Sequence, residues 1–423
     1  MKKPNVLITT MEYDEIRVGG LSAAVTSMAT ALKRYVNPII ILPRSGYSPR
    51  WKKVAEKKRP EVTVQVYEHK EVSVHVLFNQ VLDEREVYPE PADQKVIEKI
   101  DEFSKRLVEV VDEIDFDVVH MQDFFAYKAM DKFKEMNKPI VLTIHRLHRE
   151  YPSWFSGERT ALDKADYITV VGKSYYKEDE KQLFQNYENK TTHVFNGVDT
   201  KFWNAQACSH PKQTRRQRRK RLLQEHGLTD GVFFTYIGRF DPVQKGVDVL
   251  LKASDEFLRT GNVRMIVIGV GDKELEKNAK ELEAEQPSKL KVINQLLPRE
   301  TVRDVYSSAD FALIPSVFEP FGLVQLEAMA CECVPIGSKT GGIKDTIVSY
   351  EDDPDRATGF LVEKGEPVAL VNGMSRALRL FEERPETVEN MRKNGRNRCE
   401  AVFQWDASAK KYFDIYEKLL QHH

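Results

Sequence analysis

Residues 314–347 read IPSVFEPFGLVQLEAMACECVPIGSKTGGIKDTI, running from Ile314 to Ile347. The stretch grows out of an apolar run, Phe311 to Pro315, that reads as a buried strand. Pro320 and Gly322 break regular structure between Ser316 and Gly322. The pattern from Leu323 to Cys331 predicts a helix, and Val334 to Gly337 a second buried strand. Gly341 and Gly342 then turn the chain into a further helix. The order is strand, loop, helix, strand, loop, helix, with polar groups gathered just beyond the strands. In open parallel sheets that edge is where ligands bind.

Two carboxylates in the stretch need a reason. Glu319 sits in the turn, and Glu327 lies in an apolar helix beside Leu326, Ala328 and Met329. A buried carboxylate without a partner is costly, so a buried Glu327 should meet a partner or a ligand hydroxyl. The alternative is that Glu327 faces solvent and Glu319 is an ordinary loop acid. Spacing alone does not separate the two readings.

A chain of 423 residues is long for a single core, and two domains are expected. The formal net charge of −1 supplies no overall field for nucleic acid or an anionic membrane. The start, MKKPNVLITTMEYDE, lacks the long apolar core of a secretory signal. No apolar run reaches the roughly 18–20 residues that span a bilayer. Cys208, Cys331, Cys333 and Cys399 are scattered, and Cys331-Glu332-Cys333 has no matching second pair for zinc. Free buried thiols in a reducing cytosol are expected.

In the first half, Asn5 to Thr10 reads as a strand, Arg17 to Ser22 as a glycine loop, and Leu21, Val25, Met28, Ala29 and Leu32 as a helix face. Glycines and the free N–H groups of a helix start favour an anion, though any tight turn can use Gly19-Gly20. Further strands are expected at Pro38–Pro43, Asp117–Met121, Pro139–Ile144, Asp166–Val171 and Lys190–Phe195. Val62–Tyr67 and Val72–Phe78 alternate as a hairpin does. Tyr47 to Pro60, basic and aromatic, reads as a surface excursion. Asp123 reads as a capping residue that starts the next helix. His145 stands just past a strand, where it either faces a ligand or is a satisfied structural histidine. His148 is the second candidate.

In the second half, Val232–Ile237 is a strand that ends in Gly238-Arg239-Phe240-Asp241, followed by Gln244-Lys245-Gly246. Arg239 and Lys245 are either solvated loop cations or a clamp for a diphosphate. Arg264 to Gly271 and Gly359 to Val362 read as strands. Pro367–Phe381, Pro385–Phe403 and Ala407–Leu420 read as helices. The run Arg215 to Arg221 reads as the solvated face of a helix. No aromatic or RNA-binding motif accompanies it, so a nucleic-acid partner is not expected.

The phrases Phe318-Glu319-Pro320, Gly322-Leu323, Thr340-Gly341-Gly342 and Asp345-Thr346 resemble the nucleotide-sugar-binding segment of retaining GT-B glycosyltransferases. The resemblance is strongest to the glycogen and starch synthases. Arg17 to Leu21 resembles their Lys-x-Gly-Gly-Leu motif, with a planar guanidinium in place of the lysine. Phe78 to Tyr88 resembles another of their segments in part, and His120 to Asp123 their His-x-x-Asp phrase, which implies an acceptor-facing or structural loop there. Thr143-Ile144-His145 resembles the family's sugar-binding histidine phrase, Gly238-Arg239 with Gln244-Lys245-Gly246 its phosphate phrase, and Asn196 to Asp199 the turn closing its first domain.

The resemblance implies an α/β chain of two Rossmann-like, doubly wound parallel-sheet domains facing across a cleft. They would comprise residues 1–205, joined by 405–423, on the acceptor side, and 206–404 on the donor side. It implies catalytic roles for His145, Arg239, Lys245 and Glu319. It implies donor binding by Arg17, Gly19, Gly20, Glu327, Thr340, Gly341 and Gly342. Cations must stabilise charge on a departing diphosphate, while His145 and Glu319 hold sugar hydroxyls and Glu327 the ribose. No Asp-x-Asp phrase stands at a strand end, so no obligatory metal and no cofactor are expected. The expected reaction moves glucose from ADP-glucose or UDP-glucose to the non-reducing end of an α-1,4-glucan, in the cytoplasm. The alternative acceptor is a small sugar, a sugar phosphate or glycerate. A binding regulator with a dead site is disfavoured, because Arg239, Lys245, Glu319 and Glu327 occur together.

Overall fold

Val6, Leu7 and Ile8 are consecutive apolar residues, and all three are fully buried. A strand buried on both faces belongs in the middle of a parallel sheet with helices on either side. Each such side chain contributes about 1.5–3 kcal/mol of burial free energy. The computed structural model describes residues 2–16, 20–44, 50–82, 92–241 and 243–422. They fall into two units, residues 1–171, 180–197 and 405–423 in one, and 172–179 with 198–404 in the other. The sequence places the boundary near residue 205; the units divide after Gly197 instead, and residues 172–179 pack with the second unit.

The first unit is built on strands β1 (Asn5–Thr9), β2 (Asn37–Pro43), β3 (Lys52–Lys58), β4 (Thr63–His69), β5 (Val72–Phe78), β6 (Val118–Gln122), β7 (Ile140–Ile144), β8 (Tyr167–Val170) and β9 (Thr191–His193). Their order across the sheet is β3-β4-β5-β2-β1-β6-β7-β8-β9. Leu7 registers with Ile39 on one side and Val119 on the other, both in parallel pairs. The chain order reverses between β1 and β6, so ligand-facing groups are expected on the loops after these two strands. The Trp405–Leu420 helix belongs to this unit, where Tyr416 Oη lies 2.6 Å from His120 Nδ1 and Ser408 donates to the Phe195 carbonyl.

The Tyr47–Pro60 segment differs from its expectation as a surface excursion. Lys52–Lys58 is a strand pairing antiparallel with β4, and every residue of it is exposed. It is the edge of the sheet and neither face is covered, so no apolar alternation marks it. Its lysines suit a strand edge that must not recruit another chain.

The second unit carries β10 (Val232–Ile237), β11 (Val263–Ile268), β12 (Leu290–Ile293), β13 (Phe311–Ile314), β14 (Val334–Ser338) and β15 (Phe360–Val362). All pairs are parallel, in the order β12-β11-β10-β13-β14-β15. This is the doubly wound arrangement of a dinucleotide-binding sheet, with its crevice between the first and fourth strands in chain order, β10 and β13. The four-residue β12 is too short for its alternation to mark it in the sequence. The helix after Gly341-Gly342 is a single turn, Ile343–Thr346.

The basic run Arg215–Arg221 is only partly a solvated face. Arg218 and Arg219 are buried. Arg215 donates to the carbonyls of Tyr306, Ala309 and Cys331, and Arg218 to that of Ser307. Arg219 Nη1 pairs with Asp310 Oδ2 at 2.7 Å. These guanidiniums satisfy carbonyls and a carboxylate between the helix and the sheet, which leaves them no part in a nucleic-acid surface.

Candidate active site

In the second unit, β10 and β13 end side by side, and the loops beyond them converge. Gln244 ties them through backbone, its carbonyl accepting from Val317 N at 2.7 Å. Gly246 has φ +60, and a Cβ there would lie 2.1 Å from the Pro315 carbonyl oxygen. Only glycine allows both that backbone and that approach. The result places Lys245 Nζ 2.5 Å from Glu319 Oε2. Ser316 Oγ donates to the same carboxylate oxygen at 3.3 Å. Arg239 is half-exposed, with its guanidinium 3.5 Å from Asp241 and 3.4 Å from the Gln244 side-chain oxygen. Tyr236 donates its hydroxyl to the Arg239 carbonyl at 2.8 Å. Burial and then the negative charges of Glu319 and Asp241 hold that phenol protonated. Lys245, Glu319 and Ser316 are thus in contact, with Arg239 on the same loop as Lys245.

Thr340, Gly341 and Gly342 brace this loop pair. Gly342 N donates to the Glu319 carbonyl at 3.1 Å, and Thr340 Oγ1 to the Val317 carbonyl at 3.2 Å. Gly341 N donates to Asp179 Oδ2 at 3.0 Å. A Cβ at Gly341, whose φ is +40, would lie 2.0 Å from the Glu319 carbonyl oxygen. The two glycine amides, expected from sequence to meet sugar or phosphate, have protein partners in this structure. Their visible work is to let Glu319 and Pro320 pack against the turn. Segment 172–179 completes the brace, with Ser174 N and Oγ both donating to Asp345.

Glu327 stands apart from the Lys245–Glu319 pair. It is half-buried and has no hydrogen-bond or ion-pair partner among the described residues. Loss of surrounding water pushes its carboxyl up to about 7, against a smaller downward pull from Arg299. Arg299 is itself stacked over Phe202 and Trp203. The alternative of a fully solvated Glu327 does not hold. The group is partly desolvated and unpaired, which is what a site for a ligand hydroxyl requires.

In the first unit, His145 stands just past β7. Its Nε2 lies 2.8 Å from Gln122 Oε1, and its backbone N donates to Asp123 Oδ1 at 2.7 Å. Burial pushes the imidazole down to about 4, so it is neutral at physiological pH. Asp123 has φ +56 and caps the strand end after β7, not a helix. Burial raises its carboxyl well above the usual range. His148 is otherwise engaged, its Nδ1 lying 2.7 Å from Glu158 Oε1 and its ring packed on Trp154. Gly20 opens the Gly20–Leu32 helix, and a Cβ there would meet nothing within 4 Å. Arg17 and Gly19 lie outside the described residues, as does Asp83 to Tyr88 of the Phe78 phrase. Gln122 and Asp123 are the neighbours the sequence reading left without a defined part. Their sequence signals are their place at the carboxyl end of β6 and, for Asp123, its spacing from His120.

No group of three or more His, Cys, Asp or Glu among the described residues could hold a metal ion. Among the same residues, no helix is long and apolar enough to cross a membrane.

Two family descriptions match the chain, "Starch synthase catalytic domain" over residues 5–189 and "Glycosyl transferases group 1" over residues 215–398. A glycogen synthase of Finegoldia magna is 27% identical over 418 residues, covering 86% of each chain. One from Oceanobacillus iheyensis is 30% identical over 320 residues, covering 71% of this chain and 64% of its own. The catalytic domain of starch synthase IV from Arabidopsis thaliana, bound to ADP and acarbose, superposes with a TM-score of 0.85 at 20% identity, covering all of both chains. Sucrose-phosphate synthase from Thermosynechococcus elongatus superposes with a TM-score of 0.73, also at 20% identity and over all of both chains. With the descriptions matched by both halves of the sequence, the glycogen synthase relatives and the superposed folds agreeing, the chain is a glycogen and starch synthase-like GT-B glycosyltransferase.

Proposed function

We propose that the protein transfers glucose from ADP-glucose or UDP-glucose to the non-reducing end of an α-1,4-glucan, with retention at the anomeric carbon. The observation that carries the reading is the Lys245–Glu319 pair at the crevice between β10 and β13. A bound diphosphate would draw Lys245 and Arg239 to its oxygens, where negative charge grows as the bond to the sugar breaks. Glu319, released from Lys245, would accept hydrogen bonds from ring hydroxyls. Glu327 would hold the ribose, whose hydroxyls replace the water this carboxylate has lost. His145, neutral, is suited to hydrogen-bond the primary hydroxyl of the sugar. Thr340, Gly341 and Gly342 would serve the donor by holding Glu319 in place, and Gly20 by leaving room at a helix start, where Arg17 and Gly19 would adjoin it. The acceptor hydroxyl would attack the face the diphosphate leaves, and a diphosphate oxygen would take its proton.

The four cysteines are free and buried, which supports a reducing compartment and hence the cytoplasm. The test is incorporation of labelled glucose into glycogen from each donor. Incorporation from either supports the reading. No incorporation, with nucleotide release onto a sugar, a sugar phosphate or glycerate, would replace the glucan with a small acceptor.

A further inference from the structure

Gln122 is the last residue of β6 and is 1% exposed. A primary amide so deeply buried must place both its oxygen and its NH2. Its Nε2 lies 4.0 Å from Met28 Sδ, on the Gly20–Leu32 helix. Its Oε1 lies 2.8 Å from His145 Nε2. Sulfur is a weak acceptor and has no proton to give, so the NH2 belongs on the Met28 side and the oxygen on the His145 side. The reversed amide would set oxygen against sulfur and leave the NH2 bound only to an imidazole nitrogen. A carbonyl oxygen can only accept, so His145 Nε2 must carry the proton.

From this we propose that Gln122 is a positioning residue that fixes His145 in its Nε2–H tautomer, leaving Nδ1 as an unprotonated acceptor for a sugar hydroxyl. The inference rests on the donor-site reading above for the identity of the hydroxyl, but not for the tautomer. His145 Nδ1 has no partner among the described residues, and the residue is only half-buried. The Asp123 contact to His145 N fixes the backbone from which the ring projects, and the Gln122 amide holds the ring itself. A neutral ring presenting a lone pair suits a substrate group that donates a proton, such as a hydroxymethyl hydroxyl. It repels a carboxylate at the same place. The site therefore selects a hexosyl donor with a free primary hydroxyl against a uronosyl donor. Glutamate at position 122 would supply a negative charge and draw a second proton onto the ring, ending its role as acceptor. The uncharged amide is thus the chemistry that keeps the ring neutral and oriented.

The test is histidine-labelled ¹⁵N NMR of the full chain, assigned by His145→Ala, on the unaltered protein and on Gln122→Met and Gln122→Glu. Expected for the unaltered protein is a protonated Nε2 and a bare Nδ1 on His145. Gln122→Met, which fills the space without an acceptor, should give mixed tautomers and about a tenfold loss of kcat/KM. Gln122→Glu should give an imidazolium at neutral pH. A protonated Nδ1 in the unaltered protein, or an unchanged tautomer in Gln122→Met, overturns the inference. So does a changed tautomer with kcat/KM intact. If the tautomers behave as expected but the unaltered protein transfers glucose to no acceptor, the functional reading fails instead and the tautomer assignment stands. Circular dichroism of each variant separates these outcomes from misfolding.

Discussion

Lys245 and Glu319 lie 74 positions apart in the chain and 2.5 Å apart in space, Nζ to Oε2. They are neighbours because β10 and β13 are adjacent and parallel, and each loop leaves its strand at the same edge. Both side chains are largely withdrawn from water. Each charge therefore restrains the other until a ligand offers both a better partner.

Replacing Lys245 by alanine removes a cation from the place where diphosphate charge would develop. Turnover should fall by about 10²-fold or more, with a smaller change in donor KM, since the interaction strengthens as the bond breaks. Steady-state kinetics on Lys245→Ala, with donor varied at saturating glycogen, reads this directly. Unchanged kcat would remove Lys245 from the leaving-group role.

Glu327 gives a prediction in pH. Its carboxyl is raised from 4.5 to about 7 in the folded chain, through desolvation. An acid with a raised folded-state pKa favours folding when protonated. The cost is therefore absent below pH 4.5, grows between 4.5 and 7, and is complete above 7. At about 1.4 kcal/mol per pH unit it reaches at most about 3 kcal/mol, less whatever water the half-buried group retains. Glu327→Gln should melt higher than the unaltered protein at pH 8, and the two should converge near pH 5. The same variant should bind the donor more weakly, since an amide accepts ribose hydroxyls less strongly than a carboxylate. Identical melting curves at pH 8 would mean that the carboxylate is solvated after all.

The parts legible from sequence are those where one local pattern suffices. Phe311–Ile314 and Val6–Ile8 are continuous apolar runs and could be little but central strands. Arg239, Lys245 and Glu319 stand beyond strand ends, where ligand-facing groups collect, but it is the resemblance of their phrases to those of the glycogen and starch synthases that singles them out from other loop charges. The parts that were not legible depend on a distant partner. Nothing near Arg215–Arg221 shows that carbonyls at Tyr306, Ala309 and Cys331 await Arg215. Nothing near Gly341 shows that its amide is taken by Asp179, more than a hundred residues earlier. Gln122 reads as one more polar residue after a strand until His145 is seen beside it.

The glycines predict a graded series. Gly341→Ala puts a Cβ 2.0 Å from the Glu319 carbonyl oxygen at a φ of +40, so the loop carrying Glu319 must move. The strain costs about 1–3 kcal/mol, and activity should fall by more than the loss of folded protein explains. Gly20→Ala meets nothing within 4 Å, so its melting point should hold. If a donor does approach that helix start, Gly20→Ala will still raise the donor KM. Thermal unfolding and donor KM on both variants distinguish a packing glycine from a ligand-facing one. A Gly341→Ala variant with full activity would show that the turn does not position Glu319.

The buried end of the basic run makes a prediction about stability alone. Asp310 is 1% exposed and accepts from Arg219 Nη1 at 2.7 Å, Arg392 Nη2 at 2.9 Å and Phe233 N at 3.0 Å. Removing the carboxylate leaves two buried guanidiniums facing each other and an unpaired strand amide at the start of β10. Breaking such a network by deleting one partner costs about 3–5 kcal/mol, because the remaining charges stay desolvated. Asp310→Ala should therefore unfold at markedly lower urea. Arg216→Ala, on the exposed side of the same helix, should lie within about 0.5 kcal/mol of the unaltered protein. The contrast separates a structural cluster from a charged surface, since a surface run would make both substitutions equally mild. Equal urea midpoints for the two variants would return Arg219 to the solvent face that its sequence alone suggests.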